Sequence, residues 1–233
     1  MALIFAGGSG VRMGASVPKQ FLVMANKPVL AHTLGLFQDH ADVDQIRIVV
    51  QRDFFERTNA LCREYGITKA VELVEGGASA QDSIYNGLCA CRKAGLADDT
   101  IVLLHDGVRP YITAEVISAN IDSVRDYGNG VTFTPCFETL VLSKDGCSIS
   151  DIPPRRMSFS AQAPQSFHLG DIFRAHEKVR AMEAGYTDLV DQATICWKLG
   201  IPIHLVPGNR GNLKITTPED IVMLEALLKY ERT

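Results

Sequence analysis

Ala2-Leu3-Ile4-Phe5-Ala6-Gly7-Gly8-Ser9-Gly10-Val11-Arg12-Met13-Gly14, followed at once by Pro18-Lys19-Gln20, is the stretch from which the rest of the chain can be read. The apolar run Ala2–Phe5 predicts a buried strand. It breaks into small residues that let backbone N–H groups approach a ligand closely. Two cations follow seven positions apart, Arg12 and Lys19. Bare main-chain donors beside fixed positive charge suit a polyphosphate. The plainer reading is a glycine-rich turn from strand to helix. Two familiar nucleotide loops do not fit. The Walker pattern needs Gly-Lys-Ser/Thr, which is absent here. The dinucleotide fingerprint GxGxxG meets Gly8-Ser9-Gly10 and Gly14 one residue too late, and Arg12 sits where the helix would begin.

Composition sets wide bounds around this loop. At 233 residues the chain has ample length for a continuous core, and a single domain over 1–233 is expected. Lys plus Arg number 23 against 27 Asp plus Glu, a net charge of −4, so no basic field recruits nucleic acid or a membrane surface. No apolar run has the length of a membrane span, and no basic leader with a cleavage site opens the chain, so a cytoplasmic location is expected. Six cysteines, Cys62, Cys89, Cys91, Cys136, Cys147 and Cys196, lie scattered without CxxC spacing. They read as reduced thiols rather than as a metal knuckle.

Strand and helix patterns alternate along the chain. Strands are expected over Ala2–Ala6, Gln45–Val50, Ala70–Glu75, Ile101–His105, Gly130–Pro135 and Pro202–Pro207. Helices are expected over Val29–Gln38, Asp53–Tyr65, Ala80–Ala94 and Ala114–Tyr127. A last helix opens at Thr217-Pro218-Glu219-Asp220, with Thr as cap, Pro in the first turn and acids at the positive dipole end. This order predicts an α/β fold: a Rossmann-like, three-layer α/β/α arrangement on a mainly parallel sheet. The segment 137–167 breaks the rhythm. Asp145-Gly146 between apolar runs is a hairpin signal, and a lone hairpin cannot bury two faces, so a protruding β-arm that packs on something outside its own core is expected.

Four further places could carry chemistry. Asp106 and Arg109, in His105-Asp106-Gly107-Val108-Arg109-Pro110, follow a central strand, where open α/β sheets bind ligands. Asp106 could hold Mg²⁺ against phosphates, or simply cap a turn with Arg109. Gly76, Gly77 and Ser83 could present main-chain groups and a hydroxyl to a pyrimidine and its ribose, or Ser79 could just cap a helix. Arg155 and Arg156 could grip an anion or be solvated charges. Lys214 lies on a short β-prone run before the last helix, where a lone lysine is usually surface charge.

These pieces are also a resemblance. G-G-x-G-x-R-M-G followed by P-K-Q-F, then His-Asp-x-x-Arg-Pro, Ala161-Gln162-Ala163-Pro164-Gln165-Ser166-Phe167 and Asn212-Leu213-Lys214-Ile215-Thr216-Thr217-Pro218-Glu219-Asp220, are similar in order and content to the family containing 2-C-methyl-D-erythritol 4-phosphate cytidylyltransferase and ribitol-5-phosphate cytidylyltransferase. The resemblance spans the whole chain. It implies a nucleotidyltransferase fold and transfer of CMP from CTP to a polyol phosphate, giving a CDP-polyol and pyrophosphate with Mg²⁺ or another divalent cation. By the same resemblance Arg12 and Lys19 act at the α-phosphate and leaving group, and Arg155 and Lys214 hold the acceptor phosphate. Ala6, Gly7, Gly8, Gly10, Gly76, Gly77, Ser83, Asp106, Gly107 and Arg109 bind substrate, and Asp106 also serves the metal. The family's arm embraces a second subunit, implying a homodimer with Arg155 supplied across it.

The Ala-Gly-Gly opening, Val108 and Glu138-Thr139-Leu140-Val141 look more like the ribitol-phosphate members, so D-ribitol 5-phosphate is the expected acceptor and methylerythritol phosphate the alternative. Ala80 stands where the family commonly has arginine, and Val190 where a hydroxyl residue usually precedes Asp191-Gln192-Ala193. Two other classes remain as contrasts: an NAD-dependent oxidoreductase, for which the loop has the wrong length, and a non-catalytic nucleotide-binding module, against which Arg12, Lys19, Asp106 and Lys214 together argue.

Overall fold

The computed structural model describes residues 1–7 and 17–230. Gly8, Gly10 and Arg12, three of the expected site residues, therefore lie outside the described residues. The chain begins with β1 (Ala2–Phe5), and a 3-10 turn (Lys19–Phe21) leads to a small antiparallel pair, β2 (Val23–Met24) and β3 (Lys27–Pro28). There follow α1 (Val29–Asp39), β4 (Ile46–Val50), α2 (Phe55–Glu64), β5 (Ala70–Glu75), α3 (Ala80–Lys93), β6 (Ile101–Asp106) and α4 (Ala114–Tyr127). The second half contains β7 (Asn129–Pro135), β8 (Phe159–His168), α5 (Leu169–Arg180), α6 (Gln192–Lys198), β9 (Leu205–Pro207) and α7 (Pro218–Tyr230).

The main sheet has seven strands in the order β5-β4-β1-β6-β8-β7-β9. Every neighbouring pair is parallel except those made by β8, which runs against both β6 and β7. β1 and β4 are buried on both faces, with Arg47 of β4 paired to Glu72, because helices cover both sides of the sheet, the condition that parallel strands require. One side packs Leu30 and Phe37 of α1, Leu61 of α2 and Ile117 of α4 against Ile4, Ile46 and Ile48. The other packs Leu88 of α3, Ile172 of α5 and Ile195 of α6 against Leu3, Val49 and Leu104. Fully burying one such side chain stabilises by roughly 1.5–3 kcal/mol. Among the described residues, no helix is long and apolar enough to cross a membrane.

Helix ends follow local chemistry. Ser79 Oγ accepts from Asp82 N–H (3.0 Å) to open α3, and Thr113 Oγ1 does the same for Val116 in α4. Gly128 closes α4 in the left-handed region, at φ +81°. The expected cap of α7 differs. Thr217 is not the acceptor; Asp220 Oδ2 reaches back to the N–H groups of Thr216 (2.7 Å) and Thr217 (2.8 Å). A carboxylate satisfies two orphan donors where a hydroxyl would satisfy one.

The second difference is the extent of the arm. Residues 159–167 are not in it: they form most of β8, inside the sheet. The excursion is confined to the segment between β7 and β8, and its hairpin reduces to a single bridge between Leu142 and Asp151. Asp145 explains this. Its carboxylate gathers Ser148 N–H, Cys147 N–H and the hydroxyls of Ser143 and Ser148, making a wide loop instead of a two-residue turn. Pro153-Pro154 then removes two donors that a longer ladder would need.

Candidate active site

The carboxyl ends of β1, β4 and β6 and the β5–α3 turn meet at one edge of the sheet around a cavity of about 660 Å³. Because β8 is antiparallel, it brings its amino-terminal half to that edge, with Gln165 opposite Leu104. Of the expected residues, Ala6, Gly7, Lys19, Gly77, Ser83, Asp106, Arg109 and Lys214 line the cavity. Gly76, Gly107 and Arg155 do not.

At one end the wall is main chain and small side chains. Ala6 takes part there with both backbone groups already engaged: its N–H donates to Val49 O (2.8 Å), and its carbonyl accepts from Gln20 Nε2 (2.6 Å). Gly76 N–H likewise donates to Val50 O (3.0 Å). A Cβ on Gly77 would stand 2.4 Å from Asp82 Cβ, so the turn into α3 closes only with glycine. Ser83 Oγ accepts from Gly77 N–H (2.9 Å) and donates to Ser79 O (2.9 Å). The hydroxyl expected to read a base thus fastens the turn. Gly107 has a packing reason instead of a ligand-facing one: a Cβ there would lie 3.0 Å from both Leu30 Cδ1 and Phe5 O.

At the other end the wall is charged. Asp106 Oδ2 accepts from Arg109 Nε (2.9 Å), and its Oδ1 accepts from Lys214 Nζ (3.0 Å). Burial works to raise the Asp106 carboxyl, but Lys214 and Arg109 outweigh it and hold it at about 2. Arg109 Nη1 also donates to Asn212 O (2.8 Å). Lys19 Nζ donates to Ile215 O (2.9 Å), which brings the first cation beside the segment that carries Lys214. His105 is fully buried, packs its ring on Phe37 and bonds Arg109 O through Nε2 (3.2 Å). Burial drives its pKa down to about 4, so it is a neutral donor holding the Asp106–Arg109 turn. Arg155 is exposed in the arm, where its Nη2 donates to Thr139 Oγ1 (3.1 Å).

Five glutamines of the wall, Gln20, Gln51, Gln162, Gln165 and Gln192, are not among the expected site residues. Gln165 donates to Asp191 Oδ2 (2.9 Å) and accepts from Ala193 N–H (3.0 Å), tying β8 to the capping box of α6. Gln20 is legible as part of Pro18-Lys19-Gln20, and Gln162 and Gln165 as part of the Ala161–Phe167 stretch, whereas Gln51 and Gln192 carry no comparable signal. Asp106 and Asp191 are the carboxylates of the wall, each already satisfied, and among the described residues no three metal-ligating side chains cluster. The donor set does not fit a dedicated magnesium site.

A cavity at this edge, floored by small residues and flanked by two lysines and an arginine, is built for anionic ligands. The family model IspD, 2-C-methyl-D-erythritol 4-phosphate cytidylyltransferase, matches residues 1–230. The chain belongs to this family. A ribitol-5-phosphate cytidylyltransferase of Streptococcus agalactiae serotype V is 41% identical over 97% of this chain and 94% of its own. A 2-C-methyl-D-erythritol 4-phosphate cytidylyltransferase of Syntrophus aciditrophicus is 39% identical over 99% and 96%. Among solved structures, the 4-diphosphocytidyl-2C-methyl-D-erythritol synthase of Anaerococcus prevotii superposes with a TM-score of 0.83 at 27% identity, covering 98% of this chain and 95% of that one. Family membership makes the protein a nucleotidyltransferase and accounts for the six parallel strands and the single reversed one.

Proposed function

We propose that the protein transfers CMP from CTP to D-ribitol 5-phosphate, giving CDP-ribitol and pyrophosphate. The observation that carries the chemistry is the convergence of Lys19, Arg109 and Lys214 on one cavity whose half-buried carboxylate, Asp106, is already neutralised. An acceptor phosphate oxygen attacks the α-phosphorus of CTP; a P–O bond forms there, and the bond to the β-phosphate breaks. A phosphate monoester has a second pKa of about 6, so the nucleophile is already ionised and needs no general base. The obstacle is repulsion between polyanions, which fixed cations remove.

In this reading Lys19 acts on the α-phosphate and leaving group, and Arg12, outside the described residues, is assigned the same duty. Lys214 grips the acceptor phosphate, and Asp106 orients Lys214 and Arg109 by their shared ion pairs. A divalent cation brought in with CTP would supply further neutralisation of phosphate charge, to which the protein itself contributes Lys19, Arg109 and Lys214. The preference for ribitol rests on the relatives at 41% identity carrying that name; methylerythritol phosphate is the second reading, resting on a relative at 39%. Pyrophosphate release with CTP and each polyol phosphate in parallel tests this. Ribitol 5-phosphate should give the highest kcat/KM, and faster turnover of 2-C-methyl-D-erythritol 4-phosphate would transfer the assignment to it.

We further infer a homodimer through the arm. Phe137, Ile149 and Met157 are more than half exposed there. Such apolar surface on a thin excursion suits a second copy. Arg155 would then act across the interface. Arg155→Ala and Lys214→Ala chains, each impaired alone at low acceptor concentration, should regain activity when unfolded and refolded together, since one mixed site receives both cations. No regain in a demonstrated heterodimer would place Arg155 outside the mechanism.

A further inference from the structure

We propose that Gln162 donates a hydrogen bond to a hydroxyl of the acceptor polyol, with its amide turned toward the cavity by Asn212. The assignment rests on the CMP-transfer reading above and adds the residue that recognises the sugar-alcohol part of the acceptor. Gln162 lies on β8, is nearly buried and lines the cavity.

Its orientation follows from a chain of obligatory choices. The backbone carbonyl of Ala163 can only accept, so the Asn212 amide atom 2.7 Å from it is the nitrogen, Nδ2. That same nitrogen lies 3.2 Å from the Gln162 amide, so the atom it meets is the acceptor Oε1. The Gln162 NH₂ therefore faces the opposite way. Among the described residues nothing accepts from it. Gly208 makes the arrangement possible, because a Cβ there would stand 2.9 Å from Gln162 Oε1.

Position completes the argument. Asn212 O receives Arg109, Arg109 holds Asp106, and Asp106 holds Lys214. The free amide thus stands beside the cationic end, where the acceptor phosphate is drawn. An uncharged NH₂ adds little to a phosphate already met by lysine and arginine. A polyol carries a hydroxyl on almost every carbon, and a hydroxyl oxygen is the complement of an oriented neutral donor. A wall that places a nearly buried donor this way discriminates against acceptors lacking the matching hydroxyl, since the donor is then left unpaired.

The test compares wild type with Gln162→Met and Gln162→Glu, using CTP, ribitol 5-phosphate and ribitol 5-phosphates lacking one hydroxyl at a time. Gln162→Met should raise the acceptor KM roughly 3- to 10-fold, the worth of one neutral hydrogen bond, with the CTP KM unchanged. One deoxy acceptor should cost wild type a similar factor, and Gln162→Met should be indifferent to that hydroxyl. Gln162→Glu keeps an oxygen for Asn212 and so preserves the fold. Its acceptor KM should rise further at neutral pH and fall back as acid protonates the new carboxyl and restores a donor. An unchanged acceptor KM in Gln162→Met, or a variant that penalises every deoxy acceptor as wild type does, overturns the assignment. If wild type turns over no polyol phosphate at all, the CMP-transfer reading itself falls, an outcome distinct from a wild-type enzyme indifferent to Gln162.

Discussion

The two ends of the cavity are made of different material. The glycine-lined end consists of turns whose amides and hydroxyls are spent on one another, as in the Ser79–Gly77–Ser83 knot. The cationic end consists of long side chains delivered by four separate parts of the chain, at 19, 106–109, 162 and 212–214. A wall of main chain can change only by breaking the turn. A wall of side chains can change one residue at a time, so the cationic end can vary while the glycine-lined end stays as it is. This fits a family whose relatives near 40% identity carry two different acceptor names.

The strongest way to break the contrast is Lys19→Ala. Removing one preorganised contact to developing charge should lower kcat by about two to three decades, measured as pyrophosphate release at saturating substrates. Near-normal turnover would remove Lys19 from the mechanism. Lys214→Ala should be smaller and one-sided, raising the acceptor KM by about 10- to 100-fold, the range for a charge-assisted bond, with little change in CTP KM. Equal effects on both substrates would mean that the two ends are not separable.

Acid should also act on the cationic end, through His105. Unfolded His105 takes a proton near 6.5, whereas in the folded protein burial holds it to about 4. Its contribution is therefore complete above about pH 6.5 and is lost as pH falls toward 4, by up to about 3 kcal/mol. His176, lowered to about 4 by burial and by Arg180, follows the same course on the opposite side of the sheet. Urea melts at pH 7 and 4.5 should show this loss, and His105→Gln should reduce the difference. An undiminished difference would put the acid sensitivity elsewhere. The smallest expected effect belongs to the glycine end. Gly77→Ala should destabilise by about 1–3 kcal/mol through overpacking against Asp82, with kcat nearly retained once CTP is saturating.

How much of this was legible depended on what each segment buries. β1 and β4 bury apolar side chains on both faces and stand out as apolar runs. α3 and α4 carry their caps in the sequence, Ser79, Thr113 and Gly128, and so were bounded within a residue or two. The sequence places most of β8 in the arm because this strand buries polar groups. Gln162 Oε1, Gln165 and Ser166 are met by Asn212, Asp191 and Asn120, partners far away in sequence. Pro164 added to the disguise, since proline argues against a central strand. In the site, Lys19, Asp106, Arg109 and Lys214 were legible as charges inside motifs. The duties of Ser83 and Gly107 were not, because only the packing around them shows that one fastens a turn and the other yields space to Leu30 and Phe5.

The bond from Lys19 Nζ to Ile215 O joins positions 196 residues apart. During synthesis, therefore, the sheet can form on the ribosome long before the clamp does. A chain halted near Gly200 would already hold six of the seven strands of the main sheet and yet lack both the carbonyl that anchors Lys19 and the lysine paired with Asp106.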